Sequence, residues 1–241
     1  MTATGPEKDP LSERQIRMTR YVSPFVFLLS LILCGATINA QTSNNNPRED
    51  VQFWHESQLI MPVHKKIDLL LIGVYRHGRH LSHAVDERGG AAVAFKLNKY
   101  LLIQPTWLYV AQQPTATRKA FEHRLIFNVT LKYSQGKFNF TDRNHFERRV
   151  RHGRTDFTMY RNRLQIDHPV GPEKWNLRAY LADEVFHDNS LRAWSRNRAG
   201  GGDFKKFSPH FTGEIFYLRQ TDGFARPGNA HAIGTLFKFY L

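Results

Sequence analysis

Two kinds of chemistry-bearing residue stand out in this chain of 241 residues: histidines beside hydroxyls and carboxylates, and arginines alternating with carboxylates. His77, His80 and His83 crowd one short stretch together with Asp86 and Glu87. Imidazoles and carboxylates bind metals, but only when an element fixes their directions, and this stretch reads as a solvated loop. Ser82 beside His83, and His187 beside Asp188, are the residue types of a hydrolytic site. In such a site a histidine takes the serine proton and an acid holds the imidazole. Neighbours of these types also arise by chance. No glycine-rich phosphate loop, nucleophile elbow or paired-cysteine site accompanies them, so no metal and no cofactor is expected.

The arginines are better ordered. Glu122 and Arg124, then Arg143, His145, Glu147 and Arg149, then Arg161 and Arg163, and finally Arg178 and Glu184 fall at even spacings. A step of two keeps side chains on one face of a strand. Glu56, Asp68, Arg76, Asp167 and Lys238 extend the same faces elsewhere. Arginine's planar fork pairs with carboxylates and phosphates at two points. Such faces could fill a lumen with ion pairs, or line a narrow pore whose cationic excess weakly favours anions.

The elements that carry these charges read as long strands. After residue 49 no convincing helical period occurs, and period-two alternation recurs in eleven segments. Segment 119–133 sets Phe121, Leu125, Phe127, Val129, Leu131 and Tyr133 against Glu122, Arg124, Asn128, Thr130 and Lys132. Most segments exceed the roughly 9–11 residues that a tilted membrane strand needs. One segment, 137–150, would turn Asp142 and Asn144 toward lipid, which calls for a bulge near Thr141 or for a covering partner. Segment 195–205 is blurred by Gly200-Gly201-Gly202, read as a strand end or kink. The sequence finishes on Phe237, Phe239 and Leu241, an apolar alternation read as a closing strand and as the signal for barrel assembly.

The first forty residues read differently. Arg20, the apolar run 22–33 and small residues to Ala40 form a signal peptide cleaved before Gln41, with Met18 as its natural start. Residues 41–49 are a polar tether and residues 50–241 the barrel. Cys34 is the sole cysteine and is removed with the signal, leaving no thiol. The charge of +13 becomes +12 in the mature chain, because residues 1–40 hold one more base than acid. So basic a chain inside a cell would suggest nucleic acid. An exported one meets lipopolysaccharide phosphates or packs its arginines inward, so nucleic acid is not an expected partner.

Links between segments alternate short and long, as periplasmic turns and outer loops do, with 78–87 and 221–229 among the long ones. Eleven segments conflict with the even strand number usual in bacterial barrels, so ten or twelve strands are expected, with the conflict at 50–61. Phe53-Trp54, Glu122-His123-Arg124-Leu125, Asp142-Arg143-Asn144-His145-Phe146-Glu147, Arg161-Asn162-Arg163-Leu164, Asp183-Glu184-Val185-Phe186 and Tyr217-Leu218-Arg219-Gln220 occur in this order. In that order they resemble an uncharacterised bacterial outer-membrane β-barrel family, domain of unknown function 2490, across residues 50–241. The terminal Leu241, where phenylalanine is commoner, is a small departure.

The expectation is an all-β protein: a single antiparallel transmembrane β-barrel of 10–12 strands after a cleaved signal peptide, placed in the bacterial outer membrane. Arg124, Arg143, His145, Glu147, Arg161, Arg163, Arg178 and Glu184 would line its lumen. Its partners would be outer-membrane lipid, lipopolysaccharide and the barrel-assembly machinery, and its role a structural or narrow, weakly anion-favouring passage. Two alternatives remain: an outer-membrane hydrolase with a histidine site near the outer rim, and a soluble exported β-protein binding a small ligand.

Overall fold

A computed structural model describes residues 48–241. The expected signal peptide 1–40, with Met18 and Cys34, and the expected tether up to residue 47 lie outside the described residues. Eleven strands follow in order: β1 Glu49–His64, β2 Ile67–Gly78, β3 His83–Lys96, β4 Leu101–Thr115, β5 Arg118–Gln135, β6 Phe138–Arg151, β7 Phe157–Pro169, β8 Leu177–Asp188, β9 Ala193–Ser208, β10 Phe211–Asp222 and β11 Asn229–Tyr240. Each pairs antiparallel with its sequence neighbours, and β11 closes the barrel on β1.

The closing pair is parallel, from Glu49 opposite Asn229 to Ile60 opposite Tyr240. This corrects the expectation of an even strand number. Evenness is required only when every pair is antiparallel, and one parallel seam permits eleven. The segment at 50–61 is therefore an ordinary wall strand.

The alternation decides which side is solvent-like. Along β5, Leu125, Phe127, Leu131 and Tyr133 are exposed, while Glu122, Arg124, Asn128 and Thr130 are buried. The same inversion runs round the wall, from Phe53 and Leu71 to Leu181, which is 74% exposed, and Ile215. A soluble protein rarely leaves so continuous an apolar surface in water. Strands of 12–18 residues are long enough to cross hydrocarbon, and a closed sheet leaves no unpaired edge within it. The fold is a transmembrane β-barrel. A soluble β-protein with its core on the apolar face is overturned, because that face points outward.

Local chemistry fixes the turns. The β5–β6 hairpin turns on Gly136 and Lys137, and Gly136 has φ of 59°, a conformation that favours glycine at the first corner of a two-residue hairpin turn. Between β2 and β3, Arg79, His80 and Leu81 all have positive φ, and Asp50 of β1 holds the turn by accepting from the Arg79 and His80 amides at 3.0 and 2.8 Å. Strand pairing extends further than expected here. The ten-residue loop 78–87 shrinks to residues 79–82, and 221–229 shrinks to 223–228. The longest link, 170–176, falls on the rim assigned short turns and contains the 3₁₀ turn Glu173–Trp175, so the expected strand at 173 starts at Leu177. The alternation of short and long links is correspondingly faint.

Two further expectations are corrected on the wall. Gly200-Gly201-Gly202 is neither a strand end nor a break, and lies within β9. Its neighbours come so close that Cβ atoms would sit 2.3, 2.6 and 2.3 Å from the Tyr217, Tyr180 and Ile215 carbonyl oxygens. No bulge relieves Asp142 and Asn144, since β6 keeps unbroken register with β5 and β7. These residues stay on the outer wall and are satisfied there. Asn162 Nδ2 donates to Asp142 at 2.6 Å, and the Tyr160 hydroxyl donates to Asn144 at 2.5 Å.

Candidate functional site

The barrel interior has two halves. On β2–β5 it carries two aliphatic clusters, with Leu70 packed on Ala92 and Ala94, and Leu108 and Val110 packed on Ile126. On β5–β9 it is charged. Antiparallel register sets Arg124 opposite Arg149, His145 opposite Arg161, Arg163 opposite Glu184 and Glu184 opposite Arg198. Every second residue of each strand faces in, so one row of charges abuts the next.

Glu147 is the hub. Its side chain is 0% exposed and meets His145 Nε2 at 2.9 Å, Arg149, Arg124 at 3.5 Å and Arg161 at 3.7 Å. Glu122 accepts from Arg124 Nε at 2.7 Å and lies 3.9 Å from Arg149. Glu184 meets Arg161 at 2.7 Å, Arg143 at 3.2 Å and Arg198 at 3.7 Å. Arg124, His145, Glu147, Arg161, Glu184 and Arg143 thus form one network across β5–β8. Sharing each carboxylate among several guanidinium groups offsets the cost of removing these charges from water. Arg163 and Arg178 stand nearer the other rim, Arg163 donating to Gln165 at 3.0 Å and Arg178 bonding Asp167.

Toward the rim where β1 begins, the network opens into a cavity of about 330 Å³ lined by eleven arginines and four carboxylates. Asp86 grips Arg88 at 2.6 and 2.7 Å, accepts from Gln112 at 2.7 Å and lies 4.0 Å from Arg76. Asp222 holds Arg196 at 2.7 Å. Three inward rings carry the guanidinium planes. Arg76 lies 3.7 Å from the Trp54 centroid, Arg161 4.6 Å from Phe186 and Arg151 4.5 Å from Phe157. Stacking covers the face of the group and leaves its in-plane N–H fork for partners.

Sequence reasoning missed Arg88, Arg196 and Arg198, and read Asp86 as a loop residue. The signal was present in the spacing of two in Asp86–Arg88 and Arg196–Arg198. An overlong loop assignment and the glycine run concealed it.

The histidine constellations are dispersed. Asp86 turns inward to Arg88, whereas His77 turns outward to the Tyr75 hydroxyl at 3.0 Å. Among the described residues no three histidines, cysteines or acids are grouped closely enough to hold a metal ion. Ser82 Oγ lies 2.7 Å from His83 Nδ1 but donates to the Arg79 carbonyl at 2.5 Å, and both residues are exposed. His187 faces outward against Trp194, while Asp188 faces inward and caps Ser190 N at 2.8 Å. Neighbours on a strand point to opposite faces, so this pair cannot act together.

On the outer wall, Phe237 meets His55 and Phe211 edge-on at 5.1 and 5.7 Å, and Phe239 stacks on Phe211 at 5.2 Å. The Leu241 amide donates to the Ile60 carbonyl at 3.1 Å. These three residues tie β11 to both of its neighbours.

Among known proteins, no curated sequence matches the chain. A solved structure, the anion-selective porin from Comamonas acidovorans, is similar with a TM-score of 0.37 and 14% identity, over 73% of this chain and 54% of the porin. The chain therefore spans about half the length of that porin. A family model matches residues 51–230, from β1 to the start of β11. The chain belongs to that family, described as Protein of unknown function (DUF2490).

Proposed function

We propose that this protein is a bacterial outer-membrane barrel serving as a narrow passage that weakly favours small anions. The observation that carries the reading is the imbalance of the cavity, eleven arginines to four carboxylates in a space enclosed by the wall. Confinement by low-dielectric walls focuses that charge on any ion that enters. The buried Glu122–Arg124–Glu147 network argues against a wide diffusion pore. Eight strands are just filled by side chains and sixteen or more leave an aqueous channel, and eleven fall between. Lipid and lipopolysaccharide would surround the wall, and the barrel-assembly machinery would engage β11 through Phe237, Phe239 and Leu241.

Planar-bilayer recording of the purified protein under a salt gradient tests the reading. The expected result is a small conductance with a weakly anion-selective reversal potential. A cation-selective reversal potential, or no conductance at all, overturns it.

A further inference from the structure

We propose that the arginine-lined cavity is a binding site for a compact polyanion, a small molecule or headgroup bearing two or more phosphate groups. The proposal rests on the anion-favouring reading of the interior and adds to it a ligand class and a saturable site.

The argument follows the pairing of the charges. Eight interior arginines share five carboxylates: Arg76 and Arg88 on Asp86, Arg124 and Arg149 on Glu122, Arg161 on Glu147, Arg143 and Arg198 on Glu184, and Arg196 on Asp222. Three further arginines at the cavity, Arg118, Arg151 and Arg154, have no carboxylate within 4.0 Å of their guanidinium nitrogens among the described residues. Arg151 donates instead to the Thr155 carbonyl at 2.7 Å. The remaining lining acid, Asp188, is committed to its own turn, accepting from Ser190 N at 2.8 Å, Ser190 Oγ at 2.6 Å and Leu191 N at 3.3 Å. The wall thus holds several positive charges that the protein does not neutralise.

A second observation is independent of this count. Arg76 Nε is buried without a hydrogen-bond partner, on a residue that lines the cavity and whose nearest carboxylate oxygen is 4.0 Å away. Buried N–H groups are nearly always paired in native proteins. An orphan donor, clamped over Trp54 in a cationic cavity, is the state expected of a site that awaits an acceptor.

The excess is multiple and spread over β2, β5, β6 and the 152–156 link, so a single monovalent ion answers only part of it. A volume of about 330 Å³ lies at the small end of the roughly 300–1,000 Å³ typical of ligand sites, which excludes a polymer strand. Phosphate oxygens match a guanidinium fork, and Arg76, stacked on Trp54, keeps its Nε without a partner. The fitting ligand is compact, with at least two phosphates, either free in solution or presented as a lipid headgroup.

The test is titration calorimetry of the full chain, folded in detergent, at fixed ionic strength. Tripolyphosphate, orthophosphate and micelles of a bisphosphorylated glycolipid are the probes. Tripolyphosphate is expected to bind at one per barrel, at least tenfold tighter than orthophosphate. The double variant Arg118→Ala, Arg154→Ala should weaken it at least tenfold while keeping the heat-modifiable gel shift, since neither residue holds a carboxylate. Saturable binding of the glycolipid alone supports the site and assigns its ligand to a headgroup. The proposal is overturned if neither tripolyphosphate nor the glycolipid saturates the wild-type barrel, if both tri- and orthophosphate bind and do so equally tightly, or if the double variant binds as tightly. Anion-selective conductance without saturable binding would sink this proposal and spare the passage. Saturable binding to a barrel that does not conduct would do the reverse.

Discussion

Replacing Glu147 by glutamine probes whether the ion-pair network on the passage wall is shielded from water. The substitution keeps shape, turns one acceptor oxygen into a donor and removes one charge from a side chain that is 0% exposed. Arg149, Arg124 and Arg161 each lose a carboxylate partner. Breaking a buried pair costs about 3–5 kcal/mol. Here Arg124 and Arg149 keep Glu122, and Arg161 keeps Glu184, so the lower end, about 3 kcal/mol, applies. For a domain of this size 1 kcal/mol shifts the melting temperature by about 2–4 °C, giving a fall of about 6–12 °C. The assay is the temperature at which the folded, fast-migrating gel band converts to the unfolded one in detergent, with circular dichroism as a second probe. Removing Arg149 as well should restore part of the loss, because the two residues are directly coupled. A fall below about 2 °C would place the network in water, where ion pairs contribute about 0–1 kcal/mol, and would refute its burial in the wall.

Deleting residues 237–241 removes the last four pairs of the β1–β11 seam and the Phe211 contacts, and is expected to abolish the heat-modifiable species in membrane fractions. Gly202→Ala would press a methyl against the Ile215 carbonyl and should lower the melting temperature by about 2–8 °C, from an overpacking cost of about 1–2 kcal/mol. Gly73→Ala is its control, because nothing lies within 4 Å of the added atom, and it should leave the transition unchanged.

Much of this was legible in the sequence because a membrane strand declares its two faces in period two. The 119–133 alternation separates the exposed Leu125, Phe127, Leu131 and Tyr133 of β5 from the buried Glu122, Arg124, Asn128 and Thr130, and the apolar exception on the buried face, Ile126, packs on Leu108 and Val110. Closure was not legible, since the direction in which β11 docks on β1 depends on the strand count and leaves no mark in either strand. Strand ends were misjudged wherever polar residues continue a ladder. His83 to Glu87 look like a loop, yet they pair with Arg76 to Gly78 and beyond. The arginine-lined cavity suffered most, because its residues come from strand ends and links on many elements and become neighbours only when the barrel closes.

The parallel seam has a consequence for how the barrel can be made. Ten interfaces join consecutive strands and can zip up hairpin by hairpin. The eleventh joins residues 180 apart, as in the 2.8 Å bond between His55 and Thr235. Loop closure over such a separation must be met before any seam contact returns free energy. Until then both edge strands present bare amides and carbonyls to hydrocarbon, where each unpaired group is costly. Half-closed sheets are therefore poor resting states, and insertion is expected to be all-or-none. Parallel bonds are also slightly weaker per residue than antiparallel ones. The line between β1 and β11 is thus both the last to form and the first place where a strained wall would part.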